Sequence, residues 1–295
     1  MDYLDKYGYA PDREEIGRAI EMIAANMDNI ASDQVYKDCF SMMDLTTLKT
    51  DDTPASVAKL VEKVNAFHKS YPEWPLLASV CVFSNFAATV KEVRKEDFNI
   101  TVVSACFPSS QSFLEVKLKE VEMAVEQGAD EVDIVLALNA FLAGNYEVAA
   151  EEIRQVRRVI DEVAGKQGRN VHLKVILETG LLKTPENIAN ASFLAMEAGA
   201  DFIKTSTGKV DVNATPLAAY VMCECIDIYR MATGKKIGFK PAGGISSAAD
   251  ALCYYSIVSS LLGKDWLNKE LFRFGVSRVA NSLLSAVEQK TVSYF

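Results

Sequence analysis

Short apolar runs alternate with longer amphipathic segments along almost the whole chain. The short runs are rich in Val and Ile and occupy residues Phe40–Leu45, Leu76–Phe83, Ile100–Ala105, Glu131–Leu136, Val171–Leu177, Asp201–Thr205, Ile237–Pro241 and Leu271–Gly275. Unbroken apolar runs of this length are typical of strands that are buried on both faces of a parallel sheet. The pattern therefore predicts eight buried strands.

The segments between these runs have helical spacing. Apolar residues at 114, 118, 121 and 125, and again at 153, 156, 160 and 163, form stripes along one helix face. Prolines stand near three predicted helix starts, where a missing N–H costs little: Pro54, Pro185 and Pro216. Gly-Ala-Asp recurs at 128–130 and 199–201, and its glycine is expected to end a helix before the next strand.

Eight strand–helix units in 295 residues predict a single (β/α)8 TIM barrel that covers residues 1–295. Residues 1–35 precede the first strand and are expected to form an N-terminal helical extension of one or two helices. The alternative is an open, doubly wound α/β sheet, because counting strands from one sequence is error-prone.

Composition excludes several functional classes. The net charge of −9 argues against binding to nucleic acid or to an anionic membrane surface. No apolar run reaches the roughly 20 residues of a membrane span, and the acidic N-terminus does not resemble a signal peptide. The six cysteines include no C-x-x-C pair, which favours free thiols in a reducing cytoplasm.

Charged residues stand inside four consecutive apolar runs, namely Asp133, Lys174, Lys204 and Lys240. Lysine and aspartate are rarely buried unless they are paired. Because alternate residues of a barrel strand point inward, these four side chains are expected to meet on one side of the lumen. The alternative is an ion-pair network that serves stability alone.

Two neighbouring buried lysines predict nucleophilic chemistry. Burial and mutual repulsion are both expected to lower the pKa values of Lys204 and Lys240. A lysine that is neutral near pH 7 can attack a carbonyl, while Asp133 and Lys174 could relay protons or orient the substrate.

Metal and nucleotide chemistry have little support in the sequence. His68 and His172 are the two histidines, and their separation argues against a zinc site and against a Ser-His-Asp triad. The chain contains no G-x-G-x-x-G and no Walker A motif, so we expect no cofactor and no metal.

Three loops that follow predicted strands contain small residues suited to binding an anion. They are Thr205-Ser206-Thr207-Gly208-Lys209, Pro241-Ala242-Gly243-Gly244-Ile245-Ser246 and Gly275-Val276-Ser277-Arg278. TIM barrels commonly bind phosphate at the loops after strands seven and eight. Each stretch alone could equally be a simple turn, but together they predict a phosphate site.

These motifs resemble the deoxyribose-phosphate aldolase family. The matching stretches span nearly the whole barrel: Met43–Leu48 (MDLTTL), 128–135 (GADEVDIV), 173–180 (LKVILETG), 199–210 (GADFIKTSTGKV), 238–245 (GFKPAGGI) and 271–277 (LFRFGVS). The resemblance implies a lyase that reversibly cleaves 2-deoxy-D-ribose 5-phosphate to acetaldehyde and D-glyceraldehyde 3-phosphate. Its partners would be that sugar phosphate and small aldehydes, and the oligomeric state stays open, a homo-oligomer included.

The resemblance also implies roles for residues. Lys204 would form the Schiff base, Lys240 would lower its pKa, and Asp133 would be the acid/base group with Lys174 as its proton-relay partner. Asp44 matches a polar residue near the second lysine, and Cys81 matches a cysteine near the substrate. Thr207 and Arg278 join the loop positions that match phosphate-binding residues, which are Gly208, Lys209, Gly243, Gly244, Gly275 and Ser277.

The chain departs from the family pattern at both ends of the phosphate site. The family usually has Arg after Gly-Gly-[Val/Ile] and often has a small hydroxyl residue after the matched serine, where this chain has Ser246 and Arg278. Tyr294, one residue from the end, is a candidate for a C-terminal tyrosine that reaches the site in the family; the alternative is a tail without a catalytic role. These departures keep two other functions open: a Schiff-base aldolase for an unphosphorylated or different aldehyde, and a non-catalytic barrel that binds sugar phosphates.

Overall fold

The computed structural model describes residues 2–295, so Met1 lies outside the described residues. Its strands are β1 Met43–Thr46, β2 Ser79–Phe83, β3 Asn99–Val103, β4 Glu131–Val135, β5 His172–Ile176, β6 Phe202–Lys204, β7 Gly238–Lys240 and β8 Phe274–Val276. All seven ladders between neighbouring strands are parallel, and they join the strands in the order β7-β6-β5-β4-β3-β2-β1-β8.

Single bridges close the remaining gap between β7 and β8. Phe239 pairs with Phe272, and Ala242 pairs with Gly275. The Phe239 N–H donates to the Leu271 carbonyl at 2.9 Å, and the Arg273 N–H donates to the Phe239 carbonyl at 3.0 Å. The sheet is therefore a closed parallel barrel, as predicted, and the open-sheet alternative is wrong.

Fifteen α-helices are present in residues 2–295: α1 Tyr3–Tyr7, α2 Arg13–Ala25, α3 Met27–Ile30, α4 Asp33–Ser41, α5 Pro54–Asn65, α6 Phe67–Ser70, α7 Ala87–Val93, α8 Leu114–Glu126, α9 Leu138–Leu142, α10 Tyr146–Lys166, α11 Thr179–Leu182, α12 Pro185–Glu197, α13 Pro216–Thr233, α14 Ala248–Leu261 and α15 Val279–Glu288. The three helices predicted from prolines begin at those prolines. In each, a preceding threonine accepts a hydrogen bond from the first turn.

The repeated Gly-Ala-Asp sequence has one structural role in both places. Gly128 and Gly199 each have φ of +107°, a conformation that glycine adopts without steric cost. The following aspartates then bind the neighbouring strand: the Asp130 side chain accepts from the Ile100 N–H at 2.9 Å, and Asp201 accepts from Leu173 at 2.8 Å. The repeat thus sets the conformation of the connection between each helix and the strand that follows it.

The N-terminal extension contains three complete helices and the start of α4, which is more than the one or two helices predicted. Tyr3 is anchored through its N–H to the Asn190 side chain at 3.0 Å, and the Tyr7 ring stacks on Phe193. Both partners belong to α12, so the extension packs on the outside of the helical ring.

Three strand predictions begin three residues too early, at Phe40, Leu76 and Leu271, where the strands begin at Met43, Ser79 and Phe274. Phe40, expected at the start of β1, lies in α4 and packs against Phe67 and Trp74. Leu271 precedes β8, which extends to Val276. A continuous apolar run shows neither helical nor strand periodicity, so the sequence does not reveal where a buried helix ends and a strand begins.

Candidate active site

The strand register brings the predicted charges to one side of the lumen. Asp133 pairs with Lys174 across β4 and β5, and Lys204 pairs with Lys240 across β6 and β7. The side chains of all four, and of Asp44 on β1, are almost completely buried; Lys204 is the most exposed at 3%.

Asp133 is the centre of this group. One carboxylate oxygen, Oδ2, accepts from the amines of both Lys204 and Lys240 at 2.8 Å. The other, Oδ1, accepts from Lys174 at 3.1 Å. Lys240 also contacts the carboxylate of Asp44, which lies 3.8 Å from the Lys174 amine. A single carboxylate therefore holds all three lysines around one point.

A second layer of charges lies beneath this point, and sequence reasoning did not single it out. The Arg273 guanidinium donates to both oxygens of Glu131, at 2.7 and 3.0 Å, and to Asp44 at 2.7 Å. Glu131 also binds Lys174. Glu131 stands two positions before Asp133 and so faces the same side of its strand, and Arg273 interrupts an apolar run. The rule that found the lysines would have identified both residues.

Four buried cations thus face three buried carboxylates in the lumen. If all four cations are protonated and all three carboxylates are ionised, one positive charge in this buried group has no partner, which is costly. Loss of a proton from one lysine would balance the charges.

Of Lys204 and Lys240, Lys204 is the lysine whose pKa shift favours loss of the proton. Burial lowers the pKa of Lys204 and the charge of Lys240 lowers it further, against the opposing attraction of Asp133. For Lys240, burial also lowers the pKa, but attraction by Asp133 and Asp44 outweighs it and the net shift is upward. The expectation that both lysines have lowered pKa values is therefore wrong for Lys240, because two carboxylates contact it and one contacts Lys204.

The lysines also make Asp133 a strong acid. Burial raises its pKa, but the attraction of Lys174, Lys204 and Lys240 is larger and moves the pKa well below its usual range. Asp133 therefore carries no proton in the resting site.

Cys81 lies in the lumen beside the charged group. It belongs to β2 and packs in a small apolar cluster with Leu48 and Val103, against which Phe83 and Phe107 lie. Burial raises the pKa of the Cys81 thiol, so the group is protonated at neutral pH.

The predicted anion-binding loops meet above Lys204. They border a cavity of about 530 Å³ whose lining comprises Thr46, Thr47, Leu48, Lys49, Lys204, Thr207, Gly208, Lys209, Ala242, Gly243, Gly244, Ile245, Ser246, Gly275, Val276, Ser277 and Arg278. Every loop residue predicted to bind substrate is in this set. The cavity is therefore continuous from the amine of Lys204 to the three glycine-containing loops.

Gly275 has a packing reason to be glycine besides its place in the loop. A Cβ there would lie 2.7 Å from the Ala242 Cβ and 3.1 Å from the Lys240 Cε. Any side chain at 275 would therefore clash with Ala242 and crowd Lys240, so this glycine supports the packing around the lysine pair as well as the cavity.

Tyr294 is held outside the lumen. Its hydroxyl donates to the Lys63 carbonyl at 2.8 Å, and its ring packs edge-on against Phe67 and Tyr71. The Asn281 side chain accepts from the Tyr294 N–H at 2.9 Å. The structure does not bring this predicted catalytic residue to the other candidates.

The two histidines are apart from each other and from the cavity lining. His68 lies 3.0 Å from the Trp74 carbonyl, and His172 begins β5 with its Nδ1 3.9 Å from Glu131. Within residues 2–295, no group of three or more His, Cys, Asp or Glu side chains could hold a metal ion. None of the helices in the described range is both long and apolar enough to cross a membrane.

Comparison with known proteins decides the family. A model described as DeoC/LacD family aldolase matches residues 39–253. The chain belongs to the DeoC/LacD family of aldolases. This confirms the predicted family and makes the chain a carbon–carbon lyase.

Two relatives of this DeoC/LacD chain have names that state a substrate. A deoxyribose-phosphate aldolase of Homo sapiens is 42% identical over 261 residues, covering 85% of this chain and 78% of the relative. A putative deoxyribose-phosphate aldolase of Caenorhabditis elegans is 39% identical over 281 residues, covering 94% and 89%.

Solved structures agree on the fold. An apo-form of a putative deoxyribose-phosphate aldolase from Toxoplasma gondii superposes with a TM-score of 0.72 at 22% identity, covering 87% of this chain and 98% of that one. A deoxyribose phosphate aldolase from Aeropyrum pernix, described as tetrameric, gives 0.64 at 22% identity, covering 94% and 98%. The DeoC/LacD chain thus has the barrel of these neighbours, as the sequence predicted.

Proposed function

We propose that this aldolase reversibly cleaves 2-deoxy-D-ribose 5-phosphate to acetaldehyde and D-glyceraldehyde 3-phosphate through a Schiff base on Lys204. The observation that carries the proposal is the position of Lys204. Among the buried lysines, it is the one that borders the cavity, and its pKa is lowered. A neutral amine facing an open cavity can attack a carbonyl carbon.

The first step uses the free amine of Lys204. The amine adds to the aldehyde carbon of the open-chain sugar, and the resulting carbinolamine takes up one proton from solvent on its hydroxyl and loses water to give an iminium ion. Lys240 stays protonated beside it because two carboxylates raise its pKa. Its fixed charge disfavours protonation of Lys204 and keeps the nucleophile available.

The second step breaks the C2–C3 bond. Asp133, directly or through water and Lys174, accepts the proton of the C3 hydroxyl, and the bonding electrons move to the iminium nitrogen to form an enamine. Glyceraldehyde 3-phosphate leaves. The enamine is then protonated at C2, and addition of water releases acetaldehyde and restores the amine.

The loops at the far end of the cavity would hold the phosphate. Thr207, Gly208 and Lys209 follow β6, Gly243 and Gly244 follow β7, and Ser277 and Arg278 follow β8. Backbone N–H groups at such loops attract anions. Anchoring the phosphate fixes the distance from the aldehyde carbon to Lys204, which raises the rate by orientation.

A second candidate function keeps the Schiff base but removes the phosphate preference. It is motivated by Ser246, which stands where the family usually has arginine. The cation Arg278 borders the same cavity, so we favour the phosphorylated substrate. A catalytically inert sugar-phosphate barrel is disfavoured by the lowered pKa of Lys204, which costs free energy and serves no purpose in binding alone.

Reductive trapping tests the proposal. Protein mixed with deoxyribose 5-phosphate and borohydride should gain a stable adduct, which intact-mass measurement and peptide mapping should assign to Lys204. An adduct on Lys240 would reverse the two lysine roles. Absence of any adduct with folded protein would refute Schiff-base catalysis and favour the inert barrel. Values of kcat/KM for deoxyribose and its 5-phosphate then separate the first two candidates.

We also propose a cytoplasmic location and a homo-oligomeric state. All six cysteines are free thiols in the structure, which suits a reducing compartment. The oligomer is suggested by the tetrameric relative from Aeropyrum pernix. Light scattering on the purified chain measures its mass, and a mass near that of one chain would refute the oligomer.

A further inference from the structure

A buried carboxylate with no place in the proposed mechanism lies behind the β6 loop. Glu178 follows β5 and is 2% exposed. Both of its oxygens are taken by one residue of the next loop: Oε1 accepts from the Thr207 N–H at 3.2 Å, and Oε2 accepts from the Thr207 hydroxyl at 2.5 Å. Glu178 therefore ties the loop after β5 to the loop after β6.

This arrangement is costly in two ways. The backbone of Glu178 is left-handed, with φ of +55° and ψ of +59°, a conformation that is sterically unfavourable for a residue with a Cβ. Burial also raises the pKa of Glu178, although the hydrogen bonds from Thr207 oppose the shift. A residue kept for packing alone would avoid both costs, which indicates a functional reason for the carboxylate.

Further hydrogen bonds connect Thr207 to the residues that line the cavity. The Thr207 hydroxyl, held by Glu178, accepts from the Lys209 N–H at 3.0 Å. Gly208 between them has φ of +78°, and the Lys209 amine donates to the Leu48 carbonyl at 2.6 Å across the cavity mouth. Glu178 thus determines the shape of residues 207–209 through one threonine.

Glu178 itself is not part of the surface that it shapes. Thr207, Gly208 and Lys209 all border the cavity, whereas Glu178 does not. Both of its carboxyl oxygens are directed at Thr207. The carboxylate can therefore organise a loop for an anion without facing that anion.

We propose that Glu178 is a positioning residue that holds residues 207–209 in the conformation that receives the phosphate-bearing end of the substrate. This inference rests on the proposed function, because it assigns the loop to the phosphate and leaves the imine chemistry to Lys204. Loss of Glu178 should consequently weaken binding of the phosphorylated sugar and leave the reaction of the unphosphorylated sugar unchanged.

Two substitutions at one position, with a matched control, test the proposal. Glu178→Ala removes both contacts, Glu178→Gln keeps an acceptor and a donor of similar shape, and Glu186→Ala changes an exposed glutamate on α12. Kinetics are measured with deoxyribose 5-phosphate and with deoxyribose. We expect Glu178→Ala to raise KM for the phosphorylated sugar about tenfold or more, the size expected for losing hydrogen bonds to a charged group. Glu178→Gln should recover most of this loss, and Glu186→Ala should match the wild type.

A double-variant cycle makes the test specific to the Glu178–Thr207 contact. Thr207→Val removes the hydroxyl that Glu178 holds, so the double variant should lose little more than the worse single variant. If Glu178→Ala does not fold by circular dichroism, Glu178→Leu takes its place in the cycle, because it keeps most of the side-chain volume and removes both acceptor oxygens.

Three results would overturn the inference: an unchanged KM, an equal loss on both sugars, or effects of the two substitutions that multiply independently. Failure of the proposed function itself looks different. In that case the wild type forms no borohydride adduct on Lys204, whatever residue 178 is.

Discussion

The side-chain amines of Lys204 and Lys240 donate to the same oxygen, Oδ2 of Asp133, at 2.8 Å each. The two lysines nevertheless differ in pKa direction, because Asp44 contacts Lys240 as well. Both amines share the carboxylate of Asp133, and Lys240 alone of the two also contacts Asp44; this difference separates a nucleophile from a fixed charge.

Replacing the fixed charge should change the pH dependence of catalysis. In Lys240→Leu, the pKa of Lys204 rises because the repelling charge is gone. The acidic limb of the kcat/KM profile, which reports protonation of the free nucleophile, should then move to higher pH. A profile that stays in place would refute the role of Lys240, and Lys69→Leu on α6, with an exposed lysine, serves as the control.

Removing the nucleophile should abolish turnover and stabilise the fold. The pKa of Lys204 is lower in the folded chain than its ordinary value of 10.5, so the unfolded chain binds more protons between these two values. The free energy of unfolding therefore rises with pH across that window in the wild type, and this rise should disappear in Lys204→Leu. At pH 7 we expect Tm of the variant to be roughly 1–3 °C higher, in line with a gain of about 1 kcal/mol in a large domain. A variant with lower Tm at pH 7 would contradict the conclusion that the folded chain lowers the pKa of Lys204.

Arg273 should matter for stability more than any exposed arginine. Arg273→Met leaves Glu131 and Asp44 buried with one cation fewer, and breaking a buried pair in this way costs about 3–5 kcal/mol. Urea unfolding should detect the loss. Arg18→Met, where the side chain is 66% exposed, should change the free energy of unfolding by less than about 0.5 kcal/mol.

Arg278 is expected to supply the side-chain cation of the phosphate site. Arg278→Ala should raise KM for deoxyribose 5-phosphate roughly tenfold, since a charge-assisted hydrogen bond contributes about 1.5–3 kcal/mol, and should leave deoxyribose unaffected. Adding Ser246→Arg to this variant returns a cation to the lining of the same cavity and should restore most of the affinity. No recovery would indicate that the two positions are not equivalent.

Tyr294 provides a clear test of a sequence-derived role. Because its hydroxyl is bonded to the Lys63 carbonyl, Tyr294→Phe should lower the free energy of unfolding by about 1 kcal/mol and leave kcat unchanged. A fall in kcat of tenfold or more, with stability unchanged, would restore Tyr294 to the catalytic set.

The barrel was predictable from its eight apolar runs. The centre of the charge network was predictable because a charged residue inside a buried parallel strand must be paired with another charge or take part in chemistry. Lys174 and Lys204 stand out for that reason in apolar runs. Arg273 and Glu131 also stand in apolar runs, so the same criterion identifies them. Glu178 follows its strand in a loop where a charged residue is ordinary, so no pattern in the sequence separates it from a solvated glutamate.

The position of Tyr294 and the opposite pKa shifts of the two lysines were beyond sequence reasoning for a different reason. Both depend on distances between segments far apart in the chain, such as Lys63 to the C-terminus and Asp44 to Lys240. Strand periodicity determines which way a side chain points but not which of several carboxylates it reaches.

The contact between Asp44 and Arg273 spans 229 positions, from the first strand to the segment before the last. A nascent chain that has emerged as far as β7 already contains Asp44, Glu131 and Asp133 but lacks the guanidinium that neutralises two of them. The barrel can close around its charges once the end of the chain is available, so we expect β1 and β8 to dock late during synthesis. Chains truncated before residue 271 should accordingly be cut rapidly in pulse proteolysis, and protease resistance in such fragments would show that the first seven strands fold without the eighth.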